Sequence, residues 1–100
     1  MPPNNITPSA YNSSTAAVLE VILDCGDGGR DPVEVWVKSS AAATFTVSCS
    51  RDGITYRASD SIVLAAAGES MQTYTNAYRF IKVATTAANN NEIEIVAGRQ

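Results

Sequence analysis

Apolar and polar residues alternate along much of the chain with a period of two residues. In residues 33–39 valine occupies every second position, and Glu34, Trp36 and Lys38 lie between the valines. Successive side chains of a strand point to opposite faces of its sheet, so this pattern predicts a strand with one buried face. Similar short apolar segments predict seven strands, at residues 17–24, 33–39, 44–50, 54–58, 62–66, 78–85 and 92–97.

Two of these strands carry more specific expectations. Residues 17–24 are mostly apolar on both faces, which predicts a central strand or one covered on both sides. Asp52-Gly53 predicts a hairpin turn, because glycine adopts a positive φ without steric cost. Ile54, Tyr56 and Ala58 are then expected to face the core from the returning strand.

Short strands separated by turn-forming residues are typical of antiparallel sandwiches and barrels. We therefore predict an all-β chain, an antiparallel β-sandwich of jelly-roll type with about seven strands, formed by residues 17–100. Residues 1–16 are rich in Pro, Asn, Ser and Thr and predict an extended N-terminal arm. The arm either frays or lies on a neighbouring subunit, with Ile6 and Tyr11 as its anchors.

Composition narrows the classes of partner. The chain has 100 residues, which suits one domain, and its net charge is −3 with seven scattered basic residues, so no nucleic-acid partner is expected. No apolar run reaches the roughly 18 residues of a membrane span, and the first residues lack the pattern of a secretory signal. Synthesis in the cytosol would keep Cys25 and Cys49 reduced. A disulfide bond between them is the alternative.

Catalytic groups are scarce. The chain has no histidine, which excludes Ser-His-Asp and Cys-His arrangements, so we expect no enzymatic activity. Glu92 and Glu94 are interpreted as a solvated rim of the last strand. Asp24, Asp27 and Asp31 surround a glycine-rich bend, which is either a calcium site or, as we prefer, an ordinary acidic turn. We expect no metal and no cofactor.

Aromatic residues offer better candidates for contacts with a partner. Trp36 lies on the nominally polar side of its strand, where its large apolar area needs a cover. Tyr74 lies in the polar segment 72–76, which predicts a loop and a surface contact. With Ile6 and Tyr11, these residues form the predicted partner-binding set.

Two motifs carry a resemblance to known proteins. Ser50-Arg51-Asp52-Gly53-Ile54-Thr55-Tyr56 and Ala77-Tyr78-Arg79-Phe80-Ile81-Lys82-Val83 resemble segments of discoidin-type jelly-roll modules. The pair is also similar to segments of small β-sandwich structural proteins of tailed viruses, and it covers residues 44–97. The second resemblance implies a capsid decoration protein, made in the host cytoplasm and located in the virion. Such a protein would form a homo-oligomer, for example a trimer, and bind the major capsid protein or another virion protein.

Two alternatives stay open. A carbohydrate-binding module of a tail or adhesin would use Tyr74 and Trp36 as stacking platforms, with Asn76 or Asp60 as hydrogen-bonding partners. A subunit of a non-viral extracellular filament is the third hypothesis.

Overall fold

The computed structural model describes residues 9–15, 18–25, 32–75 and 78–97. These residues form eight β-strands and no helix, so the described part of the chain contains no helix that could span a membrane. The strands are β1 (Ser9–Ser14), β2 (Leu19–Asp24), β3 (Val33–Ser39), β4 (Ala43–Ser50), β5 (Arg57–Leu64), β6 (Gly68–Tyr74), β7 (Phe80–Thr85) and β8 (Asn91–Ala97).

The strands form two four-stranded sheets. Sheet 1 has the order β1-β8-β3-β6 and sheet 2 has the order β2-β7-β4-β5. All neighbouring strands pair antiparallel. This order is that of a jelly roll, in which two four-stranded sheets pack face to face. The predicted all-β antiparallel sandwich is therefore confirmed.

The core lies between the inner faces of the two sheets. The predicted inward orientation of the valines in β3 is confirmed, because all three are buried. Ile93, Ile95 and Ala97 of β8 are likewise buried, as their alternation predicts. Sheet 2 contributes its own buried side chains to the same core, including Leu19, Val21, Leu23, Phe45, Val47, Ile62, Leu64, Ile81 and Val83.

The prediction of an inward-facing strand at residues 54–58 is wrong. Ile54 is 84% exposed and Ala58 is also exposed. The carboxylate of Asp52 accepts hydrogen bonds from the backbone N–H groups of Ile54 and Thr55, so these groups do not enter a sheet ladder. Strand β5 begins only at Arg57, and it continues through most of the segment predicted as the next strand.

The strands at the sheet edges also differ from expectation. Residues 9–14 of the predicted arm form β1, which pairs with β8, whereas residues 1–8 lie outside the described residues. Strand β6 was not predicted. Strand β2 is an edge strand and not a central one, and its Ile22 is 45% exposed, so the prediction of cover on both sides is wrong.

Candidate functional site

The turn after β4 is closed by hydrogen bonds between side chains and the backbone. Ser50 Oγ accepts from the N–H groups of Gly53 at 2.9 Å and Asp52 at 3.3 Å, and it donates to Asp52 Oδ1 at 2.9 Å. The same carboxylate oxygen accepts from the N–H groups of Ile54 at 2.8 Å and Thr55 at 3.0 Å. These bonds, with that from Ile54 the strongest cause, lower the pKa of Asp52.

This turn packs on the outer face of β7. A Cβ atom at Gly53 would lie 3.2 Å from two ring atoms of Phe80, and the φ of Gly53 is +77°. The ammonium group of Lys82 lies 4.3 Å from the centroid of the Tyr56 ring. The two motifs that carry the resemblance therefore contact each other, and these four residues join the turn to the sheet.

A groove of about 700 Å³ lies between this turn, the start of β5 and Tyr78. Arg51 and Arg57 line it, and the guanidinium carbon of Arg51 lies 5.4 Å from the centroid of the Tyr78 ring. The β4–β5 pairing shifts register after Val47, and Ser59 Oγ donates to the carbonyl oxygen of Val47 at 3.2 Å. We name this feature the arginine groove. Its two guanidinium groups suit an anionic ligand or an acidic protein surface.

The outer face of sheet 1 carries a row of large side chains. Tyr11 lies opposite Glu94 in the β1–β8 pairing. On the other side of β8, Glu94 lies opposite Trp36, and Trp36 lies opposite Met71 of β6. The exposed fraction is 58% for Tyr11, 42% for Trp36 and 40% for Met71. The surface around this row, here named the Trp36 face, comprises Tyr11, Glu34, Trp36, Lys38, Glu69, Met71, Glu92 and Glu94.

The Trp36 face is acidic. Its only cation, Lys38, has its ammonium nitrogen 3.9 Å from Glu92 Oε2, and Tyr11 donates to Glu92 Oε1 at 3.0 Å. Trp36 Nε1 donates to Glu34 Oε1 at a longer 3.4 Å. Four carboxylates thus face one ammonium group, and a shallow depression of about 150 Å³ lies beside the aromatic rings. The face combines apolar area with a net negative charge.

Tyr74 belongs to the sandwich and not to a loop. It ends β6, is half-buried, and packs against the core. Its hydroxyl donates to Asp60 Oδ2 at 2.7 Å. The pKa of Tyr74 is raised, mainly by burial and secondly by this hydrogen bond. The same bond lowers the pKa of Asp60. The bond links the edge strand of sheet 1 to the edge strand of sheet 2, so the predicted loop position of Tyr74 is wrong.

The predicted partner-binding residues are only partly brought together. Tyr11 and Trp36 share the Trp36 face, whereas Tyr74 lies between the sheets. The predicted pairing of Tyr74 and Trp36 as one sugar-stacking surface is therefore not formed. Ile6 and Asn76 lie outside the described residues, so their roles stay predictions.

Three residues of these surfaces were missed by sequence analysis. Met71 lies in a segment without alternation, and only the register of β6 against β3 places it beside Trp36. Arg51 and Arg57 flank a turn whose far side was predicted as an inward-facing strand. No spacing in the sequence indicates that both arginines line one groove.

The other candidate groups have structural partners. Asp24 accepts two hydrogen bonds from the guanidinium of Arg79, both at 2.9 Å, while Asp27 and Asp31 lie outside the described residues. No cluster of metal-ligating side chains occurs in the described ranges. Cys25 is buried and Cys49 is half-buried, and no disulfide bond joins the two.

Comparisons with known proteins give structural matches only. No protein-family model and no curated protein sequence matches the chain. The PBSX exported protein XepA aligns with 96% of this chain at a TM-score of 0.70 and 10% identity, and this chain spans only 38% of that protein. PirA aligns at a TM-score of 0.53 and 15% identity, covering 89% of this chain and 92% of that one. A Bacillus endospore appendage subunit, from a family of disulfide-linked pili, aligns at a TM-score of 0.51 and 15% identity, covering 100% of this chain and 96% of that one. At such identities the likeness shows a shared β-sandwich fold.

Proposed function

We propose that the chain is a non-enzymatic structural protein of a virion, which decorates or stabilises the capsid. It would associate with copies of itself and bind major capsid subunits. The observation that carries this proposal is the exposed row of Tyr11, Trp36 and Met71 across an acidic sheet face. Several large apolar side chains exposed on one sheet face are typical of a surface that another protein covers, and aromatic residues and methionine are enriched in such interfaces.

Three further observations support the proposal. The strand order is that of a jelly roll, an architecture that capsid proteins use. The proteins of similar fold include an exported protein and a pilus subunit by their names, and the chain has no histidine for the commonest kind of acid–base catalysis. The names of these two proteins support an extracellular, assembled location, of which the virion is the one we propose.

A carbohydrate-binding module is the second candidate. The depression beside Tyr11 and Trp36 favours it, because sugar rings pack on aromatic side chains. Glu92 and Glu94 could then accept hydrogen bonds from sugar hydroxyls. The volume of about 150 Å³ is small for this role, and well below the usual range for ligand pockets.

The proposal is tested with Trp36→Ala and a matched control, Ile54→Ala, which removes an exposed apolar side chain from the turn after β4. Both variants should stay folded at the assay temperature, with a lower melting temperature for Trp36→Ala than for Ile54→Ala, because Trp36 is 42% exposed and Ile54 is 84% exposed. Capsid particles are purified from the source and stripped of this protein. Each variant is then mixed with the stripped particles, and the mixture is sedimented. Wild type and Ile54→Ala should sediment with the particles, and Trp36→Ala should bind at least about tenfold more weakly.

Wild-type protein that stays in the supernatant, or Trp36→Ala that sediments like the wild type, would contradict the proposal. A glycan array tests the alternative function. Binding of the wild type to a glycan, lost in Trp36→Ala and accompanied by no binding to particles, would establish the carbohydrate-binding alternative instead.

A further inference from the structure

The basic side chains of the described residues divide into two groups. Lys38 pairs with Glu92 at 3.9 Å, Arg79 with Asp24 at 2.9 Å, and Lys82 with Glu20 at 3.8 Å. The remaining two, Arg51 and Arg57, have no carboxylate at ion-pair distance within the described part of the chain, and both line the arginine groove. Among the described residues, the cations without an internal counter-ion therefore lie together in this groove.

One carboxylate also lines the arginine groove. Asp52 Oδ1 already accepts hydrogen bonds from two backbone N–H groups and the Ser50 hydroxyl, which stabilise its negative charge within the turn. Two guanidinium groups and one carboxylate therefore line the groove. The groove keeps a positive excess in a protein whose net charge is −3.

The same chain presents a surface complementary to this groove. The Trp36 face carries four carboxylates against one ammonium group, with the exposed indole of Trp36 among them. Two copies that meet through two Trp36 faces bring like charges together, and so do two copies that meet through two arginine grooves. Contact between the face of one copy and the groove of another brings opposite charges together.

We propose that the arginine groove of one copy receives the Trp36 face of a second copy. The guanidinium groups of Arg51 and Arg57 would stack on the indole and form bidentate pairs with the neighbouring carboxylates. This inference rests on the self-association in the proposed function and names the two surfaces that meet. Because the two surfaces differ, the contact is heterologous, and it generates a ring if the rotation closes or a filament if it does not.

The contact is tested with two variants that each disable one surface. Arg51→Gln/Arg57→Gln removes the guanidinium groups and leaves the Trp36 face intact, and Trp36→Ala does the reverse. The control Ser61→Glu/Thr86→Glu places charges at two exposed positions that line neither surface. The control and the arginine variant each make the net charge of −3 more negative by two units. A difference between them therefore reports the location of the charge and not its amount.

Sedimentation and light scattering give the mass at increasing concentration and at low ionic strength. The wild type and the control should form species larger than a dimer. The arginine variant and Trp36→Ala should each need at least about tenfold higher concentration to associate. An equimolar mixture of these two variants should form a complex of twice the 10.5 kDa of one copy and nothing larger, because one functional face and one functional groove remain.

A wild type that stays monomeric, an arginine variant that associates like the control, or a mixture that stays at the mass of one copy would each overturn the inference. Its failure is distinguishable from failure of the proposed function. If the arginine variant associates normally while Trp36→Ala does not, and if the wild type still binds particles, the proposed function stands and only the groove is excluded as the partner surface.

Discussion

Gly53 shows how one residue of a recognisable motif acts through its backbone. Its φ of +77° is a conformation that residues with a Cβ rarely adopt, and a Cβ atom there would lie 3.2 Å from the ring of Phe80. Ser50 and Asp52 supply the hydrogen bonds that hold this turn in place. Ser50, Asp52 and Gly53, which resemble part of a ligand-binding module, therefore serve to pack the turn on the sheet. Arg51, which lies between them in sequence, is exposed and can contact a partner.

At the residue scale we predict a pH dependence at Asp52. Its pKa is lowered from 3.8 in the folded protein, because its ionised carboxylate accepts backbone hydrogen bonds. The stability that this carboxylate contributes is therefore present above the unfolded pKa, and it is lost as the pH falls through the lower folded pKa. Asp52→Asn should be less stable than the wild type at about pH 7, and the difference should shrink towards about pH 2.

Denaturant unfolding of both proteins at several pH values measures this difference. Thr44→Val is a suitable control, since Thr44 is exposed and does not titrate. A difference between the wild type and Asp52→Asn that stays constant down to the lowest pH would show that the charge of Asp52 does not stabilise the turn.

At the scale of single elements, the sequence is most informative about strands with one buried face. The alternation in β3 and β8 predicts both strands and their inward faces, because those side chains fill the core. Strand β6 has no fully buried residue, and β1 has only two half-buried ones, so neither shows the alternation. The apolar alternation at residues 54–58 misleads for the opposite reason, because hydrogen bonds to Asp52 remove two backbone groups from the ladder.

The loops at one end of the sandwich are joined by asparagine side chains. Asn89 Nδ2 donates to Ser39 Oγ at 3.2 Å and to the carbonyl oxygen of Ala42 at 3.0 Å. The backbone of Ser40 donates to the carbonyl oxygen of Asn90 at 3.0 Å. The run of three asparagines, a residue type that favours turns, therefore connects the β3–β4 loop to the start of β8.

We predict that Asn89→Ala destabilises the protein by about 1–2 kcal/mol, since it removes two hydrogen bonds and leaves the carbonyl oxygen of Ala42 without this donor. Thr86→Ala in the same connection is the control, because Thr86 is exposed. Urea unfolding monitored by tryptophan fluorescence provides the comparison. Equal stability of the two variants would show that the link between the loops contributes nothing to folding.

At the scale of the whole molecule, the sequence predicts the architecture but not which strands are neighbours. Turn spacing and alternation are properties of short segments. The pairs β1–β8 and β2–β7, in contrast, join strands that are far apart in the sequence. The Trp36 face follows from this pairing, because it places Tyr11 and Met71 on either side of Trp36 from distant segments. Trp36 alone could be predicted, from its place on the polar side of an alternating strand.

The same topology predicts how the chain folds. Only β4 and β5 are both consecutive in sequence and paired in a sheet, so every other pairing of the described strands must close a longer loop. We expect folding on the millisecond-to-second timescale, with the β4–β5 hairpin formed early. Val47 in β4 and Val35 in β3 are both fully buried, so a valine-to-alanine substitution can be compared between the hairpin and sheet 1. Val47→Ala and Val35→Ala should each cost about 2 kcal/mol at equilibrium.

Stopped-flow folding and unfolding at several urea concentrations separates the two variants. Val47→Ala should mainly slow folding, because Val47 lies in the early hairpin. Val35→Ala should mainly speed unfolding, because its contacts form after the long loops close. If Val35→Ala slows folding as much as Val47→Ala does, the long-range pairing of β3 with β8 and β6 is already present in the transition state. The β4–β5 hairpin and sheet 1 would then form together, and the local hairpin would have no special role.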